Sequence, residues 1–587
     1  MKLTHVAILV IFLAVAAPDI LHAQDSDDQQ SPEQVAYIRL VEGEVGYQRG
    51  DDSQAQWSAA AMNTPLMPGD SLYANDRSRA EIQLGDGNFL RVGTQGYIGL
   101  LQSDDHTFQF KVASGTATLR LQRLDRNYEI DAPNFAFTAE DPGEYRVDVT
   151  ANGDTQITLH RGRGAASISN RGEEDLRAPA RLNVANDSAE FTINRKFKRD
   201  DWDRWNRRRD SLTFNAARPQ YIPPGVYGYE GMSGYGRWVE TRAYGPVWVP
   251  AMGQDWQPYR LGRWVWVDPF GWTWVSYEPW GWAPYHYGRW AYVGGMGWAW
   301  APGPPTVRQR FAAALVGFLS GNEGGEWVGW FPLGPGEVYE PYARRDVYVV
   351  RPVRQYVNYN YVTVVNRTEI YNSTTVVYQT RVVNQQVIEH TQVVANCNIP
   401  PSRETLYTPA VHVNGTRVVP VSNTSHPAPQ PTQQIIERNV HVRTAEVPNV
   451  RKFDDKLAEM QRAGVVRPVN PYQPAQPRAP GNRGSEDSAD GAKVVRGNPN
   501  PPGHNERHGR CGEMPPGLYN KNVPTAAAPA TGPASVPAAT TNAPPARVPA
   551  AAEEHARPRY QPPGDLERHV GQPASTPPAQ EIGRAHV

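Results

Sequence analysis

The sequence predicts an all-β protein that is built of several modules and ends in a long disordered tail. Over residues 36–165, apolar and polar residues alternate between short turn signals, as is typical of half-buried strands joined by hairpins. A tryptophan-rich unit recurs within residues 235–342, which indicates one small supersecondary structure used several times. Residues 468–587 are dominated by proline, alanine, glycine and polar residues, and they cannot bury enough apolar surface to fold.

Residues 1–23 are typical of a secretory signal peptide. Lys2 supplies a positive charge, residues 6–17 are apolar, and Leu21-His22-Ala23 forms a cleavage site before Gln24. The apolar run is shorter than the roughly 20 residues that a membrane-spanning helix needs. We therefore expect an exported protein of the bacterial periplasm or outer cell envelope, with no transmembrane span after cleavage.

Residues 36–165 form the predicted N-terminal β module. Its ordered motifs are Val-Glu-Gly-Glu-Val at 41–45, Pro-Gly-Asp-Ser-Leu at 68–72, Arg-Ala-Glu-Ile-Gln-Leu-Gly-Asp-Gly at 79–87 and Ile-Asp-Ala-Pro at 130–133. These motifs resemble the FecR domain of bacterial envelope proteins, which implies a periplasmic interaction or sensory unit. In the namesake proteins a cytoplasmic anti-sigma segment and a membrane helix precede this domain. Here a predicted signal peptide precedes it, which argues against direct control of a sigma factor.

A linker helix is predicted over residues 195–210. This segment carries eight basic and four acidic residues around Phe197, Trp202 and Trp205. The pattern favours a short amphipathic helix that lays its aromatic face on a neighbour. A nucleic-acid or membrane patch is the alternative, but the interleaved aspartates dilute the positive charge.

The tryptophan-rich module, residues 235–342, repeats two landmarks in step every 26 residues. The first landmark is Gly236-Arg237-Trp238, Gly262-Arg263-Trp264 and Gly288-Arg289-Trp290, and the second is Gly245 with Trp248, Gly271 with Trp274, and Gly297 with Trp300. Each copy is predicted to be a hairpin with one aromatic face, and strict spacing favours a structural role for the repeated residues. We expect the repeated tryptophans to form a core and the three repeated arginines to stack on aromatic faces.

Between the second and third copies lies a less regular aromatic cluster, Trp280, Trp282, Tyr285 and Tyr287. Because these residues are spaced less regularly than the two landmarks, we predict that they form an exposed ligand-binding surface. The tryptophan-rich module, residues 235–342, with Trp280 to Trp290 as its densest part, resembles the DUF6600 family of uncharacterised bacterial proteins, which often follows a FecR-like domain. That resemblance brings no known activity.

Residues 345–421 are rich in valine, asparagine and threonine and predict further β strands, either paired with one another or seeking a partner edge. In the predicted disordered tail, residues 581–587 resemble a translated sequencing adapter, so we expect that the true C-terminus lies elsewhere. Cys397 and Cys511 are the only cysteines, too few for a disulfide framework.

The sequence predicts neither an enzyme nor a metal or cofactor site. No nucleophile elbow, P-loop or H-E-x-x-H motif is present, and His504, His508 and Cys511 follow a Pro-Pro-Gly segment that would not align them on a helix. Asp70, Asp86 and Glu144 lie at turn-like positions, where we expect them to bind the turn backbone.

These observations together predict an exported, non-enzymatic envelope protein that acts as an interaction or sensory scaffold. The net charge of −1, with 20% charged residues, gives no bulk attraction to nucleic acid. The expected partner is an envelope protein or a polysaccharide. Two alternatives remain open: a glycan-binding module that recognises peptidoglycan or exopolysaccharide, and an accessory component of a FecR-type sigma-factor system.

Overall fold

The computed structural model describes most of the chain between residues 34 and 443. The gaps in this part are 51–54, 187–189, 215–217, 254, 321–325, 340–346, 374–375, 377–379, 381–382, 395–398, 400, 407–410, 415–416 and 421–427, and further on only 455, 458, 462 and 494–496 are described. The predicted signal peptide, nearly all of the predicted tail, and both cysteines lie outside the described residues. The described part is mostly β structure, which confirms the predicted fold class.

The N-terminal module consists of seventeen strands in the described residues of 34–194. They are β1 (Ala36–Glu42), β2 (Val45–Gln48), β3 (Ser58–Ala59), β4 (Pro65–Leu66), β5 (Ser71–Ala74), β6 (Arg79–Gln83), β7 (Phe89–Val92), β8 (Tyr97–Ser103), β9 (Thr107–Arg120), β10 (Asn127–Ala132), β11 (Phe135–Ala139), β12 (Glu144–Val149), β13 (Thr155–Arg161), β14 (Arg163–Ile168), β15 (Gly172–Arg177), β16 (Ala180–Val184) and β17 (Phe191–Asn194). The module therefore extends to residue 194, well beyond the predicted boundary at 165.

These strands form two rows that share the long strand β9. Sheet 1 has the order β4-β1-β6-β7-β9-β12-β13-β16-β17. Sheet 2 has the order β3-β2-β5-β8-β9-β10-β11-β14-β15, in which only the β9–β10 pair is parallel among the described strands. Alternate residues of both sheets, such as Ile82, Phe110 and Ile130, point into one core of aliphatic and phenylalanine side chains.

Helix α1 (Asp201–Phe214) follows the N-terminal module and packs on sheet 1. It begins six residues later than the predicted helix, because Asp200 and Asp203 form a reciprocal cap: each carboxylate accepts the backbone N–H of the other residue. Trp205 is buried, and the Trp202 indole N–H donates to Thr118 Oγ1 at 2.8 Å. The predicted aromatic contact is therefore present, although charged contacts accompany it.

The tryptophan-rich module forms the three predicted hairpins. Their strands are β18 (Gly236–Thr241) and β19 (Gly245–Pro250), β20 (Gly262–Val267) and β21 (Gly271–Ser276), and β22 (Arg289–Val293) and β23 (Gly297–Ala301). In each hairpin the repeated tryptophans lie directly opposite each other across the strands, as Trp238–Trp248, Trp264–Trp274 and Trp290–Trp300. A bridge from Trp248 to Trp300 joins the first and third hairpins, so that four tryptophans form one row across a four-stranded sheet.

The two glycine landmarks have separate geometric reasons. Gly271, like Gly245 and Gly297, has a positive φ (78°) at the hairpin turn, a conformation that favours glycine. Gly262 instead lies under the opposing indole ring: a Cβ there would lie 2.6 Å from the Trp274 ring and even closer to the Val275 carbonyl oxygen. Gly236 and Gly288 lie equally close to Trp248 and Trp300. The two glycines therefore recur because the hairpin turn requires a positive φ and the opposing indole ring leaves no room for a Cβ.

The remaining described α-helices and strands follow the second hairpin in the sequence. They are α2 (Trp282–His286), β24 (Val316–Ser320), β25 (Trp327–Pro332), β26 (Val347–Pro352), β27 (Thr363–Asn366), α3 (Arg367–Tyr371), α4 (Gln385–Glu389), β28 (Gln392–Val394), β29 (Val411–Asn414), β30 (Arg417–Pro420), α5 (Gln433–Ile436) and β31 (Val494–Arg496). One sheet has the order β27-β25-β24-β28-β26-β31, while β29 and β30 form a separate hairpin.

Two predictions need correction here. Residues 345–421 contain the predicted strands, but two short helices, α3 and α4, interrupt them. The α4 helix begins where the Asn384 side chain accepts the Gln386 N–H, a cap that favours helix over strand. Within the predicted disordered tail, residues 494–496 form β31, because their backbone pairs with β26. No helix among the described residues has both the length and the apolar character needed to span a bilayer.

Candidate functional site: the aromatic junction

The four residues predicted to form an exposed ligand-binding surface are buried. The exposed fractions are 2% for Trp280, 1% for Trp282, 0% for Tyr285 and 1% for Tyr287. Helix α2, which carries the middle of this cluster, lies within the aromatic core of the tryptophan-rich module. The prediction of an exposed surface at these residues is therefore wrong, because they connect the repeat to its surroundings instead of facing solvent.

The junction between the two modules is built on this cluster. Tyr37 of strand β1 stacks on Trp282, with ring centroids 3.8 Å apart and an angle of 6° between the planes. The Tyr227 hydroxyl accepts the Val35 N–H at 2.8 Å and donates to the Val35 carbonyl oxygen at 2.5 Å. Val35 and Tyr37 belong to the same buried cluster as the repeat tryptophans. The two modules therefore share one aromatic core.

A buried carboxyl group, Glu278, lies at the edge of this junction. Its oxygens accept hydrogen bonds from Trp256 Nε1 at 3.1 Å, from the Tyr285 hydroxyl at 3.2 Å and from Ser276 Oγ. Burial raises the pKa of Glu278 to about 7, against the effect of these neutral donors. This carboxyl group therefore changes its charge near neutral pH.

Asn63 of the N-terminal module connects directly to the same segment. Its side-chain amide donates to the backbone carbonyl oxygens of Ser276 at 3.1 Å and Glu278 at 2.8 Å. Asn63 is itself buried and has a positive φ of 61°, which asparagine tolerates better than most residues. Neither Asn63 nor Glu278 belongs to a sequence motif, so no pattern in the sequence predicts this contact.

The repeated tryptophans are core residues, as predicted. Trp264, Trp274, Trp290 and Trp300 are all at most 1% exposed, Trp248 is 2% exposed, and Trp238 is half-buried. Their rings meet at an angle, as in the T-shaped Trp264–Trp274 pair with centroids 5.3 Å apart. Edge-to-face contacts of this kind are favourable for aromatic rings and add to the free energy of burial.

The repeated arginines do not make the predicted cation–π contacts. Arg263 is buried and donates to the Glu404 carbonyl oxygen at 3.3 Å, and burial lowers its pKa to about 10. Arg289 donates from Nε and Nη2 to the Glu337 carbonyl oxygen, at 3.1 and 3.0 Å. Arg237 is exposed. Within the described residues, the cation–π pairs involve other cations. Arg263 and Arg289 instead donate to neighbouring backbone carbonyl groups.

The three carboxylates predicted at turns differ in their roles. Asp70 is buried and accepts the backbone N–H groups of Met67 and Gly50, which confirms the predicted turn contact. Asp86 pairs with Arg123 and Arg218. Glu144 pairs with Arg199 of the segment before α1, at 3.0 Å. Asp86 and Glu144 thus bind arginine side chains, whereas the sequence predicted that they would bind the turn backbone.

Glu144 also belongs to a group that could offer ligands to a metal ion. Its carboxylate, His160 and Asp203 place ligand atoms within 4.8 Å of one another. However, Arg146 lies 3.1 Å from Asp203 and Arg199 lies 3.0 Å from Glu144, so two guanidinium groups already neutralise the two carboxylates. Although burial acts in the opposite direction, His160 and Arg146 hold the pKa of Asp203 well below its usual range. This arrangement fits an ion-pair network that fastens α1 to sheet 1.

An exposed aromatic group does occur, at the tip of the third hairpin. Tyr292 is 43% exposed, stacks on Tyr361 with centroids 5.1 Å apart, and lies opposite Trp298 in the hairpin. The equivalent pair of the second hairpin, Trp266 and Trp272, is buried. The exposed ring therefore lies at the hairpin tip, and not in the segment from Trp280 to Tyr287 where it was predicted.

Comparison with known proteins supports one of the two predicted family resemblances. No curated protein matches the chain. Two crystal structures of a putative anti-sigma factor from Parabacteroides distasonis ATCC 8503 are similar to 22% of this chain, with 11% sequence identity and a TM-score of 0.20. The similarity spans 59% of that protein's chain. Residues 229–337, which hold the three hairpins and the aromatic junction, match the model of a family of unknown function, DUF6600.

Proposed function

We propose that the chain is an exported, non-enzymatic scaffold of the bacterial envelope, which acts by binding another envelope component. The observation that carries the proposal is the shared aromatic core, in which Tyr37 stacks on Trp282. A common core holds the surfaces of both modules in a fixed arrangement, as a protein that presents binding surfaces requires. The predicted signal peptide and the FecR-like motifs of the N-terminal module support an extracytoplasmic site of action.

Site-specific crosslinking in the bacterial envelope tests this proposal. A photo-crosslinking amino acid replaces one of three exposed residues of the full chain: Leu124, Tyr244 or Tyr292, which are 41%, 36% and 43% exposed. We expect the chain in the envelope fraction and a recurrent adduct with one envelope component from at least one position. Retention of the chain in the cytoplasm, or no adduct above that of the unirradiated sample at any of the three positions, contradicts the proposal.

A second candidate is binding of a glycan, favoured by the exposed ring of Tyr292, which stacks on the partly buried Tyr361. Exposed aromatic rings stack on the apolar faces of sugars, and Trp298 supports Tyr292 from the opposite strand. We expect insoluble peptidoglycan to retain the full chain, and the double variant Tyr292→Ala/Tyr361→Ala to be lost from it. Tyr244→Ala, at the tip of the first hairpin, is the matched control. If the unaltered chain is not retained, the glycan candidate is rejected.

An accessory role in a FecR-type sigma-factor system stays a prediction from the sequence. It can be tested by deleting the gene and measuring transcription from promoters of the neighbouring sigma factor. Unchanged transcription, or the lack of any sigma-factor gene nearby, would count against it.

A further inference from the structure

The outer face of sheet 2 carries four carboxylates in two rows. The strand registers give one row of Lys111, Asp131, Ala136, Ser167 and Glu173, and a second row of Gln109, Glu129, Thr138, Ala165 and Asp175. The alternate residues of the same strands, such as Ile130, Phe137 and Ala166, point into the core, so these two rows face outward. We call this surface, defined by the two rows, the acidic face. Small side chains form its floor and carboxylates flank it.

A segment from much later in the chain lies across this face. Residues 428–443, which we call the strap, begin beside β2, where Pro429 lies against Gly46. Farther along, the backbone N–H of His441 donates to the Ala132 carbonyl oxygen at 2.9 Å, and its ring lies 3.3 Å from Ser167 Oγ. Ser167 and His441 are 274 positions apart in the sequence. The strap, which includes the short helix α5, is therefore held on this face by contacts far apart in the sequence, as a bound peptide would be.

Two arginines of the strap make most of its polar contacts. Arg438 donates to the carbonyl oxygens of Ala113, Thr150 and Ala151, at 2.9, 3.1 and 2.7 Å. Arg443 donates to Thr138 Oγ1 at 3.0 Å and pairs with Glu173 at 2.8 Å. Guanidinium groups suit such sites because their five N–H donors reach several oxygens at once.

The acidic face also has acceptor capacity that these contacts leave unused. Glu129 and Asp131 are buried, and within the described residues Asp131 Oδ1 and Gln109 Oε1 have no hydrogen-bond partner. Burial, together with the neighbouring Glu129, raises the pKa of Asp131 well above its usual range. Buried acceptors without donors are unfavourable, and a cationic donor would satisfy them.

We infer that the acidic face is a docking surface for an arginine-bearing peptide segment of another protein, and that the strap occupies it in this chain. The inference rests on the proposed scaffold function and specifies one of its surfaces. An incoming segment would have to displace the strap, whose own arginines then become available to solvent. The strap would therefore compete with a partner segment, which has to bind the acidic face more tightly than the strap does.

A peptide supplied in trans tests the inference. The probe is a fluorescent synthetic peptide with the sequence of residues 428–443, and the receptor is the full chain, either unaltered or as Arg438→Ala/Arg443→Ala. We expect the peptide to bind the double variant at least tenfold more tightly than the unaltered chain, because the strap no longer competes. The matched control, Arg207→Ala/Arg208→Ala, removes two exposed arginines of α1 and should bind like the unaltered chain.

Two further measurements identify the surface to which the peptide binds. Adding Glu173→Gln to the double variant should weaken peptide binding at least tenfold, because Glu173 is the carboxylate that pairs with Arg443, and added salt should weaken it as well. A peptide with both arginines replaced by alanine should not bind. Equal binding to the unaltered chain and the double variant, or no binding to a double variant whose circular dichroism spectrum is unchanged, overturns the inference. Because no envelope fraction is used, this result is separate from that of the crosslinking test.

Discussion

Glu81 of the N-terminal module and Glu278 of the tryptophan-rich module are both buried, and the two carboxyl groups are stabilised in opposite ways. In the N-terminal module, Glu81 on β6 lies 2.9 Å from Arg91, 3.4 Å from Arg39 and 2.6 Å from Arg209 of α1. These arginines outweigh the effect of burial and lower the pKa of Glu81 to about 2. In the tryptophan-rich module, Glu278 has only neutral donors around its carboxyl group, and burial raises its pKa to about 7.

The difference reflects what each module buries. Sheet 1 places several charged side chains between its strands and α1, where Arg91 and Arg120 also pair with Asp210 at 2.7 Å. The tryptophan-rich module buries indole and phenol rings, and some of their polar groups bind backbone oxygens: Trp290 Nε1 donates to the Pro284 carbonyl oxygen and Trp300 Nε1 to that of Tyr287. Among the described residues, the groups that donate to the Glu278 carboxyl group are all neutral. The N-terminal module depends on paired charges, and the tryptophan-rich module depends on close packing of rings.

The largest effect is expected from breaking the charge network. Glu81→Gln should lower the free energy of unfolding by about 3–5 kcal/mol, because it leaves buried guanidinium groups without their carboxylate. Glu140→Gln, which alters an exposed pair with Arg163, is the matched control and should change it by less than about 1 kcal/mol. Urea unfolding followed by circular dichroism measures both. Equal effects of the two substitutions would show that the network does not depend on burial.

Substitution of Glu278 is expected to increase the free energy of unfolding, relative to the unaltered chain, as the pH rises. Since folding raises the pKa of Glu278 from 4.5 to about 7, its contribution to stability is complete below pH 4.5 and is lost as the pH rises through 7. Relative to the unaltered chain, Glu278→Gln should therefore gain on the order of 3 kcal/mol between pH 4.5 and pH 8. Urea unfolding followed by tryptophan fluorescence at both pH values measures the change. A constant difference between the two proteins would contradict the assigned pKa.

Close ring packing is tested at a glycine landmark. Gly262→Ala would place a methyl group against Trp274 and the Val275 carbonyl oxygen, and it should cost about 1–3 kcal/mol of stability. Gly253→Ala, where the same methyl group meets open space, is the matched control. Thermal unfolding compares the two variants. If both unfold at the same temperature, the second module tolerates looser packing than we infer.

The smallest effect is expected at the turn of the third hairpin. Gly297→Ala should cost about 1 kcal/mol, because its φ of 83° strains any residue with a Cβ although the surrounding space is open. Gly294→Ala, in the same turn but without a positive φ, should leave stability unchanged or raise it slightly. Thermal unfolding again measures the difference. A reversed order of the two variants would remove the conformational explanation of the second landmark.

The sequence predicted the hairpins because the requirements of a repeat are local. A turn needs Gly271, and the ring of Trp274 needs the flat surface of Gly262, so both recur with the period. The sequence could not place Trp282, since its partner Tyr37 is 245 residues earlier, and contacts between modules leave no period. The less regular spacing of the cluster around Trp282 predicts exposure, whereas the cluster is buried by a contact between the modules that occurs only once.

The buried polar residues were missed for the same reason. Glu81, Arg91 and Arg209 come from three separate elements, and each is an ordinary charged residue in its own strand or helix. Glu278 and Asn63 belong to no motif, and they meet only when the two modules pack together. Their burial follows from tertiary structure, which a single sequence does not specify by spacing or composition.

The position of the strap has a consequence for the order in which the molecule is completed. The strands of the acidic face end at residue 177, whereas the arginines that cover the face are at positions 438 and 443. A chain made from its N-terminus therefore presents an uncovered acidic face while some 260 further residues are added. During that interval the acidic face is open to a basic segment of another molecule, and the opportunity ends only when the strap has been made.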